Sequence, residues 1–161
     1  MEFQSKPLTF PPEHLVVRCD QVGIGTTAPD ADADGIADGC DSCPSDDNPG
    51  QRDVDDDGLG DACDPGDFDL DGFSDRIEYR VGTDPGASCA SSPSHDANPA
   101  DVNNDTFSDI GDIVALAGSF VQAVPPAPAK HNIAPDPPDG VVDIADIVAI
   151  ANFFGQSCAG P

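Results

Sequence analysis

Residues 30–64 read DADADGIADGCDSCPSDDNPGQRDVDDDGLGDACD, and the pattern D-x-D-x-D-G-x-x-D-x-x-D occurs twice within this stretch. A loop with this spacing offers side-chain oxygens at positions 1, 3, 5, 9 and 12, a backbone carbonyl at position 7, and a sharp turn at position 6 that glycine makes easily. Ca²⁺ binds six to eight oxygen atoms of this kind. The stretch therefore predicts two calcium-binding loops, loop one from Asp30 and loop two from Asp53.

Two more loops follow along the chain. Loop three starts at Asp67 and closes on Glu78, whereas the other loops close on Asp, whose shorter side chain predicts weaker binding, ligation through water or a shared second ion. Loop four starts at Asp101 and carries Thr106 at position 6, so Thr106 has to adopt a left-handed backbone at a cost of about 1 kcal/mol.

A fifth loop keeps only its second half. Pro135 and Pro137 occupy its first two ligand positions, and the neighbouring Asp136 is a candidate substitute. We expect loops one to four to be filled, loop five to bind more weakly, and about four to six calcium ions to bind in all. The predicted ligands are Asp30, Asp32, Asp34, Asp38 and Asp41 in loop one; Asp53, Asp55, Asp57, Asp61 and Asp64 in loop two; Asp67, Asp69, Asp71, Asp75 and Glu78 in loop three; Asp101, Asn103, Asp105, Asp109 and Asp112 in loop four; and Asp139, Asp143 and Asp146 in loop five.

The composition agrees with a chain built on metal loops. Of 31 acidic residues only three are Glu, which is unlike a solvated helical surface because Asp is a poor helix former. The formal net charge is −25, and few aliphatic residues precede residue 100, so we expect bound ions to act as the core of the first part of the chain. This charge argues against nucleic acid and anionic membranes as partners.

Six cysteines, an even number, predict disulfides and an oxidising, extracellular or cell-surface location, where millimolar calcium fills weak sites. The alternative is that Cys40 and Cys43, spaced C-x-x-C, form a redox pair or half of a zinc site, although the carboxylates around them would raise the pKa of both thiols. No apolar run reaches the roughly 18 residues of a membrane span. Residues 1–17 lack the basic-then-apolar order of a signal peptide, so we expect a mature form, a fragment or a start site assigned too late.

Residues 30–64 resemble thrombospondin type 3 repeats, including the phrase C-P-x-x-x-N-P-x-Q-x-D at residues 43–53. The resemblance implies an elongated rod of calcium loops with little regular secondary structure. Residues 67–85 resemble related bacterial repeats, in which a short helix follows the loop, here at about Asp75 to Val81. The family's disulfide implies a Cys43–Cys63 bridge and, by similar spacing, a Cys19–Cys40 bridge, which leaves Cys89 and Cys158 as a third pair.

An internal duplication begins after residue 100. The apolar residues after loop four recur after loop five at a constant shift of 34 residues, the distance from Asp109 to Asp143. Two such loop-helix units can bury their apolar faces against each other, and together they resemble a dockerin module, a pair of EF-hand-like units. The sequence differs from many dockerins at loop positions 10 and 11, where a polar pair is replaced by Ile110-Gly111 and Ile144-Ala145. The predicted apolar faces are Ile110, Ile113, Val114, Ala117 and Phe120, and Ile144, Ile147, Val148, Ala151 and Phe154.

We therefore predict a mostly irregular, disulfide-stapled rod held by calcium loops, followed by a small all-α pair of loop-helix units. The predicted boundaries are an extended N-terminal arm at 1–29, thrombospondin-like repeats at 30–66, the third loop with its helix at 67–93, and a dockerin-like module at 94–161 with a stiff proline-rich spacer at 121–138. The arm either packs on its own chain or adds to a neighbouring subunit.

Catalysis is not expected. A pair of carboxylates could serve a glycosidase, but the chain has no Trp and only Tyr79 to form a sugar platform, so the carboxylates are better explained as metal ligands. The sequence favours a secreted, calcium-binding structural protein that self-assembles into a surface layer, sheath or filament. The alternative is the anchoring tail of a secreted enzyme, which docks onto a scaffold protein.

Overall fold

The computed structural model describes residues 29–92 and 94–158, so the predicted N-terminal arm and Cys19 lie outside the described residues. The helices are α1 (Asp75–Val81), α2 (Ile110–Ala117) and α3 (Ile144–Ala151), with a 3₁₀ turn at Ala129–His131. Two short strands, β1 (Phe107–Ser108) and β2 (Gln156–Ser157), pair antiparallel with Phe107 opposite Ser157. The prediction of a mostly irregular chain with a few helices is confirmed.

Residues 29–66 contain no helix and no strand, and their chain path is fixed by carboxylate hydrogen bonds, turns and a disulfide. Cys43 is bonded to Cys63, with 5.7 Å between their Cα atoms, as the resemblance implies. This bond excludes a Cys40–Cys43 redox pair. Cys40 is also disulfide-bonded, and its predicted partner is outside the described residues.

The predicted helix after loop three is confirmed as α1. The hydroxyl of Ser74 caps its N-terminus by accepting from the amide of Ile77, and the amide of Gly82 closes its C-terminus by donating to the carbonyl of Glu78. Gly82 has φ 87°, a left-handed backbone that glycine adopts without the Cβ penalty. Both ends of α1 are therefore closed by hydrogen bonds between residues close together in the sequence.

Helices α2 and α3 have the duplicated geometry that the repeat predicts. Asp109 and Asp143 are their N-caps, both with φ −136° and ψ −162°, and both belong to a capping box closed by the Asp three residues later. The two helices contact each other, and Leu116 and Ile150, which occupy equivalent positions, are fully buried.

The predicted apolar faces are mostly wrong: only Ile113 and Ile147 pack against the core, and the other eight residues, which include Phe120 and Phe154, are exposed. Ile110 and Val114 are 61% and 64% exposed, and Ile144 and Val148 are 62% and 53% exposed, so these residues lie outside the core. The reason is compositional: α2 reads IGDIVALA and α3 reads IADIVAIA, and a helix that is apolar on nearly every side does not identify its buried face by periodicity.

One hydrophobic core joins loop three and α1 to the C-terminal helices. Phe73 of loop three stacks on Phe153, with ring centroids 4.8 Å apart, and Cys89 is bonded to Cys158 as predicted. The remaining members come from all three helices, from the proline-rich segment, and from the loops that contain Ala100 and Val142. The core consists of Phe73, Ile77, Val81, Ala100, Leu116, Ala127, Ile133, Val142 and Ile150.

The proline-rich segment at 121–138 packs on the core instead of separating two units. Ala127 and Ile133 are buried, and Val121 and Val124 donate backbone hydrogen bonds to Val142 and Gly140. Within the two described ranges, no helix is long and apolar enough to cross a membrane.

Candidate metal-binding loops

Loops one, two and three each bring three carboxylates together, as their spacing predicts. In each loop the residues at positions 1, 3 and 5 offer one oxygen apiece, and these oxygens lie within 4.8 Å of one another. A group of this size and composition could hold a metal ion that prefers oxygen ligands. The three clusters are Asp30, Asp32 and Asp34; Asp53, Asp55 and Asp57; and Asp67, Asp69 and Asp71.

A common backbone turn shapes loops one to four. The carboxylate at position 1 accepts a hydrogen bond from the amide at position 6, at 3.2 Å in loop one, 2.9 Å in loop two, 3.0 Å in loop three and 2.8 Å in loop four. Position 6 has φ 99°, 95°, 99° and 77° in these loops, which confirms the left-handed backbone predicted for Thr106. Position 4 is also left-handed in all four, a feature that the spacing of the aspartates does not reveal, at Ala33, Asp56, Leu70 and Asn104.

In the first three loops, the carboxylate at position 9 also holds the turn by a backbone hydrogen bond. Each accepts a hydrogen bond from the amide at position 2, at 2.8 Å in loops one and two and 3.0 Å in loop three. Asp61 also forms an ion pair with Arg52 at 3.0 Å, so a positive charge already compensates part of loop two. These three residues are Asp38, Asp61 and Asp75.

Several carboxylate oxygens in these loops are buried and have no hydrogen-bond partner among the described residues. A buried polar atom without a partner costs about 1–3 kcal/mol, and more when it is charged, so a native fold normally supplies one. A cation among the clustered oxygens would be that partner, and the donors therefore fit a hard divalent metal ion. The oxygens are Oδ2 of Asp32, Asp41, Asp69 and Asp71, and Oε2 of Glu78.

Three carboxyl groups of loop three have pKa values far above their ordinary values. Burial, followed by the charges of its neighbours, raises the pKa of Asp69 to about 6, of Asp71 to about 7 and of Glu78 to about 10. Glu78 is fully buried, and the carboxylates of Asp71, Asp69 and Asp75 are the charges that act on it. A bound cation reverses this effect, because it favours the ionised form of each ligand.

These shifts predict that the metal-free protein loses stability as pH rises. The unfolded chain releases these protons near pH 3.8 and 4.5, whereas the folded state retains them to about pH 6, 7 and 10, so the stabilisation present below about pH 4 disappears as pH rises through the folded values. Each retained proton changes the free energy of unfolding by about 1.4 kcal/mol per pH unit. Urea unfolding in the presence of a chelator, repeated between about pH 5 and 9, measures how the free energy of unfolding changes with pH.

Saturating calcium chloride is the control for this prediction. Protons then compete with the ion for the same oxygens, so stability is expected to rise with pH instead of falling. If the free energy of unfolding changed with pH in the same way with and without calcium, the proposed ligand role of the loop-three carboxylates would be contradicted.

Loop four keeps the backbone turn but assigns its ligands differently. Asp109 caps α2, and the buried Asp112 accepts hydrogen bonds from the amides of Asn103 at 3.1 Å and Asp109 at 2.8 Å. The ammonium of Lys130 donates to the carbonyl of Asp101 at 2.5 Å and to Asn104 Oδ1 at 2.9 Å. Lys130 is one of six basic residues in the chain, and its place beside an acidic loop depends on the fold of the proline-rich segment.

Loop five does not bring its predicted ligands together. Asp139 accepts from the amide of Val141, Asp143 caps α3, and the buried Asp146 accepts from the amides of Ile133 and Ala134. Within the described ranges, no carboxylate cluster of the kind found in loops one to three forms here.

The proposed substitution by Asp136 is wrong. Its carboxylate accepts a hydrogen bond from the hydroxyl of Ser74 at 2.9 Å and forms an ion pair with Arg76, so Asp136 binds the N-terminal end of α1. Pro138 stands at position 4, where the other loops need a positive φ that proline does not adopt, and this explains why loop five has a different path.

The described chain thus has few helices and strands, and it is held together by acidic loops, disulfides and one small hydrophobic core. No family model, curated protein or solved structure matches this chain. The resemblances to thrombospondin type 3 repeats and to dockerins remain predictions.

Proposed function

We propose that this chain is an extracellular, calcium-binding structural protein, and that it self-assembles into a surface layer, sheath or filament. The observation that carries the calcium part is the set of three carboxylate clusters, two of which, in loops one and three, contain buried oxygens without a hydrogen-bond partner among the described residues. Calcium is favoured over magnesium because loops one to three each bring three carboxylates to one centre, whereas Mg²⁺ usually retains several waters and uses one or two carboxylates.

The disulfides support the extracellular part of the proposal. Cys43–Cys63 staples loop two to the preceding turn, and Cys89–Cys158 closes a segment with a sequence separation of 69 residues. Such bonds persist in oxidising compartments, where calcium is also present at millimolar concentration. A location outside the cell therefore provides both of the conditions that this chain needs.

The self-assembly part is supported by the exposed apolar side chains of α2 and α3. On each helix an Ile and a Val lie four residues apart and therefore side by side, at equivalent places of the two repeats. Apolar residues grouped in this way on an acidic molecule favour a protein contact. Lateral contact between two copies would bury these side chains and, with calcium between the chains, reduce the repulsion of a formal charge of −25.

Replacing Val114 and Val148 together with Ser is expected to abolish self-assembly and to leave calcium binding unchanged, because both side chains are exposed and neither is a predicted ligand. Sedimentation velocity at high protein concentration in millimolar calcium measures the association. Val121→Ser is the matched control, since Val121 is 75% exposed and lies outside both helices. A wild-type chain that remains monomeric under these conditions would disprove self-assembly.

The second candidate function is a docking tail that binds a scaffold protein. The equivalent capping geometry and equivalent exposed residues of α2 and α3 favour it, because such a duplication presents the same contact surface twice. A monomeric chain that loses binding to a scaffold protein when Val114 and Val148 are changed would support this candidate. The two functions are thus distinguished by whether the partner is a second copy of the chain.

A further inference from the structure

Lys130 is a buried lysine whose ammonium group contacts oxygens of two other segments. It is only 8% exposed, and its Nζ donates to the carboxylate of Asp96, to the backbone carbonyl of Asp101 at 2.5 Å and to the side-chain carbonyl of Asn104 at 2.9 Å. Asn104 stands at position 4 of loop four, which is not a ligand position, so calcium binding does not require its side chain. The proposed function does not use this group of side chains.

An amine, a primary amide and a carboxylate thus meet at one nitrogen atom. The amide carbon of Asn104, Cγ, is one bond of about 1.2 Å from the oxygen that Nζ contacts, so Nζ and Cγ are at most about 4.1 Å apart. A lysine amine attacks carbonyl carbons in covalent catalysis, and a carboxylate within hydrogen-bond distance transfers the protons. Groups that a fold holds side by side in this way react with effective molarities of up to about 10⁵–10⁸ M.

We propose that Lys130 and Asn104 form an intramolecular amide bond, an isopeptide bond, and that Asp96 transfers the proton. Asp96 takes a proton from the ammonium, and the lone pair of Nζ then attacks Cγ of Asn104. The proton passes from Asp96 to Nδ2, the bond between Cγ and Nδ2 breaks, and ammonia leaves with the second proton that Nζ releases. An ammonium group and a primary amide thereby become a secondary amide and an ammonium ion, and no other reactant is consumed.

The bond joins loop four to the 3₁₀ turn at Ala129–His131 across a sequence separation of 26 residues. A covalent link of this kind restricts the unfolded chain as a disulfide does. Unlike a disulfide it is not broken by a thiol reductant, and unlike the metal loops it does not depend on calcium. The inference therefore stands independently of the proposed function.

The mass of a tryptic fragment tests for the bond. The full chain is purified in its folded state, reduced, denatured and digested. Trypsin cleaves after lysine only when the ammonium is free, so the bond between Lys130 and His131 is expected to remain uncut. The fragment that follows Arg80 is then expected to contain both linked residues and to weigh one ammonia molecule less than its sequence.

Two results of this digestion would overturn the proposal. The first is an unchanged mass together with cleavage after Lys130, which would mean that the contact is only an ion pair with hydrogen bonds. The second is the loss of one water molecule, with fragmentation that places the link at Asp96, which would mean that the carboxylate and not the amide of Asn104 is the partner.

Two variants test the roles of the other groups. Asn104→Ala and Asp96→Ala are each expected to abolish the mass loss and to restore cleavage after Lys130. Alanine fits at residue 104, because Ala33 occupies the same position of loop one with φ 67°. A folded Asn104→Ala variant that retains the mass loss would overturn the choice of partner, and a folded Asp96→Ala variant that retains it would overturn the proton transfer through Asp96.

Asp46→Ala is the matched control for Asp96→Ala. Asp46 also pairs with a basic residue and is similarly exposed, but its partner is Arg80. This variant is expected to retain the isopeptide bond, and its loss here would contradict a specific role for Asp96. The methyl NMR signals of Leu116 and Ile150, both fully buried in the core, report whether each variant folds.

Discussion

Removal of calcium with a chelator is expected to lower the free energy of unfolding by about 8 kcal/mol. A ligand present at about 100 times its Kd stabilises the folded state by about 2.7 kcal/mol per site, and three loops have complete carboxylate clusters. This loss is comparable with the total stability of a typical domain, about 5–15 kcal/mol. Residues 29–66 are affected most, because no helix or strand supports them.

Urea unfolding followed by the fluorescence of Tyr79 measures this effect. Tyr79 lies on α1, and its hydroxyl donates to the carbonyl of Asp47 at 3.4 Å, so it reports on the contact between the helix and the first repeats. Sodium chloride at matched ionic strength, added with the chelator, is the control, because it screens charge without filling the loops. If salt alone restored the stability, charge screening and not ligation would hold this part of the chain.

Glu78→Gln is expected to weaken calcium binding at loop three on the order of 100-fold, at least as much as the loss of an outer-shell partner costs in other metal sites. Glu78 is the only Glu at position 12, it is fully buried, and its Oε2 has no hydrogen-bond partner among the described residues. The neutral amide keeps the size of the side chain but removes a ligand charge. The amide NMR signal of Gly72 measures the affinity of loop three by itself.

Glu78→Gln is expected to leave the stability of the metal-free protein nearly unchanged. Burial and the surrounding carboxylates raise the pKa of Glu78 to about 10, so at pH 7 the metal-free protein already has a neutral carboxyl there. Calcium binding to the wild type therefore releases a proton that the variant does not have, and potentiometric titration counts it. Equal proton release by both proteins would contradict this account.

Asp56→Asn is the matched control for Glu78→Gln. It removes one negative charge from loop two at position 4, which is not a ligand position, and Asn tolerates the φ of 60° found there. Loop two is expected to retain its affinity in this variant, as reported by the amide of Gly58. An equal loss in both variants would mean that overall charge, and not ligation, determines binding.

The spacing of the aspartates by itself determined the acidic loops. The hydrogen bonds from position 6 to position 1 that shape loops one to four join residues within the same twelve positions, such as the bond from Gly58 to Asp53. The resemblance to bacterial repeats predicted α1, and the 34-residue duplication predicted that the helices after loops four and five are equivalent; in the structure the ends of these helices are capped by neighbouring residues such as Ser74, Asp109 and Asp143. These features were predictable because a short segment contains both partners of each interaction.

The tertiary structure alone decided the buried face of the helices, the use of Asp136 and the place of Lys130. Asp136 is 60 residues from Arg76 and Lys130 is 29 residues from Asp101, so no local pattern relates these partners. Spacing along the chain determines which residues can share an ion within one loop. Packing between distant segments determines which of the other charged groups form ion pairs and which apolar side chains are buried.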